Sequence, residues 1–170
     1  MENQASEIKK RKLKSTLIIC GRVTLLFAVW SLIKSILTIY LATQGIAENN
    51  WLSKLIPDQG TPEFNLLITT VLITVVIVVG LFLVVGLMAV KQGTGKKVRS
   101  WYLVLAGIMV AASLVSDIYT ISAYAADTET LIDAILMVLV DLSSNVALVY
   151  IIAASVKLRK LEKNPSVKEV

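Results

Sequence analysis

Histidine is absent from the sequence, and Cys20 is its only cysteine. A single cysteine permits neither a disulfide bond within the chain nor a metal site built from several cysteines. Without histidine, the chain lacks the most common metal ligand and the usual proton-transfer group near neutral pH. These absences exclude histidine-dependent metalloproteases and oxidoreductases that use paired cysteines. We therefore predict that the chain is not an enzyme and has no cofactor or metal site.

Charge is also scarce. Charged residues make up 17% of the 170 residues, whereas hydrophobic residues make up 56%. A soluble domain is about 45–50% apolar and about 25% charged. The mean hydropathy of +0.75 points the same way. The composition therefore indicates one domain embedded in a lipid bilayer.

Four long apolar runs cover most of the chain, at residues 17–42, 64–90, 101–124 and 131–156. Each is longer than the roughly 20 residues that a helix needs to cross about 30 Å of hydrocarbon. Open strands would leave backbone groups unpaired in lipid, so the runs must be helical. We predict an all-α membrane protein, with a four-helix transmembrane domain at 16–157 and basic tails at 1–15 and 158–170.

The basic residues predict how these helices are oriented. Fourteen of them lie before the first run, between the second and third, or after the fourth, whereas only Lys54 lies in the two remaining connections. Short connections rich in Lys and Arg stay in the cytoplasm. We expect both termini to be cytoplasmic and the membrane to be a plasma membrane, namely the cytoplasmic membrane of a bacterium. Because topology explains the basic excess, nucleic acid is not an expected partner.

Aromatic residues mark the expected membrane interfaces. Trp51 begins a short amphipathic segment in the first outer connection, and Pro57 must end any helix there. Such a helix would lie flat in the outer interface, with its tryptophan at headgroup depth. Trp101 and Tyr102 are the matching anchors predicted at the inner face.

A second motif lies in the inner connection, where residues 92–97 read QGTGKK. The sequence shares a glycine and a lysine with phosphate-binding loops. The full pattern, however, requires a glycine where Val90 stands and a serine or threonine where Lys97 stands. A short turn is the better interpretation.

Polar residues inside the runs recur at steps of three and four, which places them on one face of each helix. In membranes that face packs against other helices. The predicted polar cluster consists of Lys34 on the first helix, Ser113, Ser116 and Asp117 on the third, and Asp141, Ser144 and Asn145 on the fourth.

The three ionisable members of this cluster lie at similar depths. Lys34 and Asp117 are each roughly 7 Å outside the centre of their run, and Asp141 is slightly outside the midplane. Each unpaired charge near a helix centre costs about 2.5–3.5 kcal/mol, so pairing is expected. Lys34 can balance only one carboxylate. The second is therefore expected to take up a proton or a monovalent cation.

Two functions remain open at this stage. The first is an accessory or regulatory membrane subunit, whose polar cluster organises its bundle and which binds a membrane protein partner or a second copy of itself. The second is a small proton- or cation-coupled transporter or channel that uses Asp117 and Asp141. Small size and short connections favour the first function, and the shared depth of the ionisable residues favours the second.

Overall fold

The computed structural model describes residues 2–43, 61–124 and 128–163. These ranges contain four helices and no strand: α1 (Glu2–Thr43), α2 (Pro62–Gly93), α3 (Trp101–Tyr124) and α4 (Thr128–Lys163). All four are long and apolar enough to cross a membrane. The predicted all-helical class and the four spans are confirmed, and they fit a small multi-pass membrane protein.

Two of the helices are longer than their apolar runs. α1 begins at Glu2, and α4 continues to Lys163. The basic segments at 2–15 and 158–163 are therefore helical continuations of the neighbouring spans. Their Glu, Gln, Lys, Arg and Leu residues are strong helix formers, which explains why the helices continue. The predicted amphipathic segment around Trp51 lies outside the described residues.

The chain forms two compact units, one comprising residues 1–25 and 84–170 and the other residues 26–83. In the first unit, α3 and α4 pack against each other. Arg159 of α4 bonds to Ser100, which immediately precedes α3, and Asn145 of α4 bonds to Ser113 farther along α3. Because the α4 number falls as the α3 number rises, the two helices are antiparallel.

Glycines bring α1 and α2 close together in the same unit. A Cβ atom added at Gly21 would lie 2.9 Å from the carbonyl oxygen of Gly86 and 2.8 Å from a side-chain carbon of Val90. A Cβ atom at Gly93 would lie 2.8 Å from the carbonyl oxygen of Lys14. These backbones approach as closely as small-residue contacts between membrane helices allow.

The motif at residues 92–97 closes α2. Gly95 has a positive φ of 86°. The amide of Lys96 donates to the carbonyl oxygen of Lys91 at 3.0 Å, and the amide of Gly95 donates to the carbonyl oxygen of Gln92 at 3.0 Å. This is the Schellman arrangement, which satisfies the last carbonyls of a helix and favours glycine at the left-handed position. The predicted short turn is therefore a helix cap.

In the described part of the second unit, residues 26–43 and 61–83, many of the exposed side chains are apolar. Three threonines lie exposed there on α2. Each hydroxyl donates to the carbonyl four residues earlier: Thr69 to Asn65, Thr70 to Leu66 and Thr74 to Thr70. A hydroxyl bonded in this way leaves no unsatisfied donor toward lipid, so these residues are compatible with a lipid-facing helix.

Candidate functional site

A buried hydroxyl joins three helices near the capped end of α2. Tyr102, on the first turn of α3, is 0% exposed. Its hydroxyl donates to Oε1 of Gln92 on the last turn of α2. Since that proton is used, the Ser155 hydroxyl on α4 is the donor in the 2.6 Å bond between Ser155 and Tyr102. Gln92 and Ser155 are buried as well.

Arg159 fixes the α2–α3 connection to α4. Its Nη1 donates to the hydroxyl of Ser100, and its Nη2 donates to the carbonyl oxygen of Val98 at 2.9 Å. The planar guanidinium suits such a two-point contact. Arg159 therefore helps to hold the connection against α4, and it is also one of the basic residues that predict the orientation.

A second polar contact lies farther along α3 and α4. Nδ2 of Asn145 donates to Oγ of Ser113 at 3.0 Å, which sets these two residues opposite each other. One helical turn farther from the α2–α3 connection, Asp117 follows on α3 and Asp141 precedes on α4. The antiparallel register therefore sets the two aspartates at one level.

Asp117 is buried, with only 6% of its surface exposed, and Asp141 is half-buried. Asp117 lies seven residues before the end of the apolar run 101–124, and Asp141 lies ten residues after the start of the run 131–156. The structure thus sets two predicted carboxyl groups from different helices at one level.

Two buried oxygens at this place have no hydrogen-bond partner among the described residues. They are Oδ2 of Asp117 and Oδ1 of Asn145. Both are hydrogen-bond acceptors when the aspartate is ionised. An unsatisfied buried group of this kind costs about 1–3 kcal/mol, and more if it is charged. The arrangement therefore favours a proton, a cation or another donor at these oxygens.

The other predicted cluster residues differ in position. Ser144 is buried, but its hydroxyl donates to the carbonyl of Asp141 on its own helix at 2.8 Å. Ser116 lies on an exposed side of α3. The side chain of Lys34 lies outside the described residues, so its pairing with an aspartate stays a prediction.

The residues predicted to be membrane anchors differ in how exposed they are. Trp101 is 44% exposed, as an interfacial residue would be, whereas Tyr102 is wholly buried. Its ring therefore packs inside the first unit and does not reach the surface. The predicted outer anchor, Trp51, lies outside the described residues.

Sequence reasoning missed the contact of Tyr102 with Gln92 and Ser155. A signal was present, because Ser155 continues the polar stripe of α4 at the same steps of three and four as Asp141 and Asn145. Gln92 carried no comparable signal, since it appeared only as part of the turn motif. Its position follows from the close approach of α1 to α2 and from the cap.

Comparisons with known protein families, curated proteins and solved structures find no match. Among the residues that the structure describes, no group of three His, Cys, Asp or Glu side chains is placed to hold a metal ion. Function must therefore be argued from the two polar contacts and the aspartates alone.

The Ser113–Asn145 bond should contribute measurably to stability. We expect Ser113→Ala and Asn145→Leu each to lower the free energy of unfolding, and the double variant to lose less than the sum. The coupling energy should be about 0.6 kcal/mol and at most about 1.7 kcal/mol, as for other hydrogen bonds between membrane helices. The free energy of unfolding in mixed micelles is measured for the wild type, the two single variants and the double variant. Strict additivity would mean that the two side chains do not interact.

Proposed function

We propose that the chain is an accessory or regulatory membrane subunit that acts by binding a partner within the bilayer. The observation that carries this proposal is how its polar side chains are used. Tyr102, Gln92 and Ser155 bond across three helices, and Ser113 and Asn145 bond across two. Because these polar side chains hydrogen-bond one helix to another, they favour a role in assembly over a role in catalysis.

We further propose that both termini and the α2–α3 connection face the cytoplasm of a bacterial cell. The distribution of basic residues supports this orientation. Lys91, Lys96, Lys97 and Arg99 cluster at that connection, and all four are exposed. Between α2 and α3 only residues 94–100 lie outside the helices, so on that side the surfaces available to a partner are mainly those of the helices.

Tyr150 suggests which helix face meets the partner. It lies six residues before the end of the apolar run 131–156 and is 57% exposed. About 9 Å of helix separates it from that end of the run. A phenol hydroxyl in hydrocarbon costs free energy unless it is hydrogen-bonded. An acceptor on a neighbouring protein helix would remove this cost, which lipid tails cannot do.

Photocrosslinking tests the proposed contact. A photoreactive residue at Val146, one turn from Tyr150 on the same exposed face, should capture one defined protein in native membranes, either a second copy or another chain. Tyr150→Phe should reduce that capture, because the hydroxyl is lost. The matched control is a photoreactive residue at Val104, exposed on α3, which should label lipid alone. Equal lipid labelling from both positions contradicts the proposal.

A second candidate is a small proton- or cation-coupled transporter or channel. One observation favours it: the buried Oδ2 of Asp117, which has no hydrogen-bond partner among the described residues, lies at the level of a second carboxyl group. Transport requires that the site bind a cation and also release it to both sides. Gradient-driven flux in proteoliposomes, compared with that of Asp141→Asn, tests the second requirement.

A further inference from the structure

The facing surfaces of α3 and α4 carry four side chains with oxygen atoms on two adjacent levels. Ser113 and Asn145 form one level, joined by their 3.0 Å hydrogen bond. Asp117 and Asp141 form the next, one helical turn away on each helix. A turn of helix is about 5.4 Å, so all four side chains can reach one point between the levels.

The hydrogen-bonding pattern at this place leaves two buried acceptors without a donor among the described residues. Oδ2 of Asp117 and Oδ1 of Asn145 are buried acceptors with no partner among the described residues, and these side chains are 6% and 4% exposed. Two unpaired acceptors from facing helices therefore point to a positively charged species or a proton donor.

We propose that Asp117, Asp141, Asn145 and Ser113 bind one exchangeable monovalent cation, for which Na⁺ and a proton compete. Carboxylate, amide and hydroxyl oxygens are ligands for hard cations. Ca²⁺ takes six to eight oxygens, and Mg²⁺ requires near-ideal octahedral geometry. Two helices that offer four side chains suit a smaller charge. A proton on Asp117 would instead convert one unpaired acceptor into a donor.

The depth of the site favours exchange with water from one side. Asp117 lies seven residues from the end of the apolar run 101–124, and Asp141 lies ten residues from the start of the run 131–156. Both carboxyl groups are therefore on the same side of the centres of their runs, with roughly 10–15 Å of helix between them and that end. A cation can reach such a site without crossing the bilayer, so binding does not require transport.

The site is independent of the proposed accessory role, and it shares only Asp117 and Asp141 with the transport candidate. Saturable binding without flux in proteoliposomes would refute transport and leave the site intact. Absence of binding would refute the site and leave the accessory role intact.

Equilibrium binding of ²²Na⁺ to the full chain in nanodiscs tests the site. We expect saturable binding to one site, weakened on acidification, and an affinity loss of at least about tenfold in Asp117→Asn and Asp141→Asn. Glu162→Gln, which changes an exposed carboxylate of α4, should bind as the wild type does. Thermal unfolding of the wild type in NaCl and in choline chloride gives a readout that needs no variant.

The proton alternative has its own measurement. If Na⁺ does not bind, difference infrared spectra of the wild type should show a protonated carboxyl group that titrates with pH and disappears in Asp117→Asn. If the aspartate variants do not fold, the spectra of the wild type are compared with those of Ser113→Ala, which is a milder change. A folded wild type with neither saturable Na⁺ binding nor a titrating carboxyl group would overturn the proposal.

Discussion

Tyr102→Ala should lower the free energy of unfolding by about 3–5 kcal/mol, as large-to-small changes of buried aromatic residues do. Tyr102 is wholly buried and is bonded to Gln92 and Ser155. Truncation removes the ring from a packed interior and leaves a glutamine oxygen and a serine hydroxyl without their partner. Reversible unfolding in mixed micelles, followed by circular dichroism, measures the loss.

Two comparisons separate the causes of that loss. Trp101→Ala changes the neighbouring aromatic residue, which is 44% exposed, and should cost much less. Tyr102→Phe keeps the ring and removes only the hydroxyl, so it should cost about 0.6 kcal/mol and at most about 1.7 kcal/mol. Equal losses for Tyr102→Ala and Trp101→Ala would show that Tyr102 is an interfacial residue after all.

Gly21→Ala should also destabilise the protein, although alanine is ordinarily the better helix former by about 1 kcal/mol. The new Cβ atom would lie 2.9 Å from the carbonyl oxygen of Gly86 and 3.1 Å from the amide nitrogen of Val90. Backbone atoms cannot move aside as a side chain can, so α1 and α2 must separate. Overpacking of this kind costs about 1–3 kcal/mol.

Gly107 provides the matched control, because a Cβ atom added there has nothing within 4 Å. Gly107→Ala should therefore leave the free energy of unfolding unchanged or raise it slightly. The same unfolding measurement applies to both variants. The close approach of α1 to α2 would be refuted if both substitutions changed stability in the same direction and by the same amount.

The sequence predicts the helices well because length and apolarity decide them almost alone. A run of more than 20 apolar residues has few other structures available in a bilayer. Helix ends are less predictable, since α1 and α4 continue into basic segments. Hydropathy falls at Lys12 and Lys157, but the helix-forming tendency of the side chains there does not.

The level shared by Asp117 and Asp141 was also predictable, by counting residues along antiparallel helices. The inward position of Tyr102 was not. An aromatic residue at the start of a span is usually an interfacial anchor, and only the packing of α2 and α4 around Tyr102 reverses that expectation. Periodicity reports which residues share a face, but it does not report which neighbouring helix covers that face.

The register of α3 and α4 has a consequence for how the protein is made. Ser100–Arg159, Tyr102–Ser155 and Ser113–Asn145 are successive matches along one antiparallel pair. A shift of one residue would break all of them together, so only one alignment satisfies the whole set. Because the connection between the two helices is short, little chain entropy opposes their meeting. The second half of the chain can therefore assemble as a hairpin once α4 leaves the ribosome, before it recruits α1 and the end of α2.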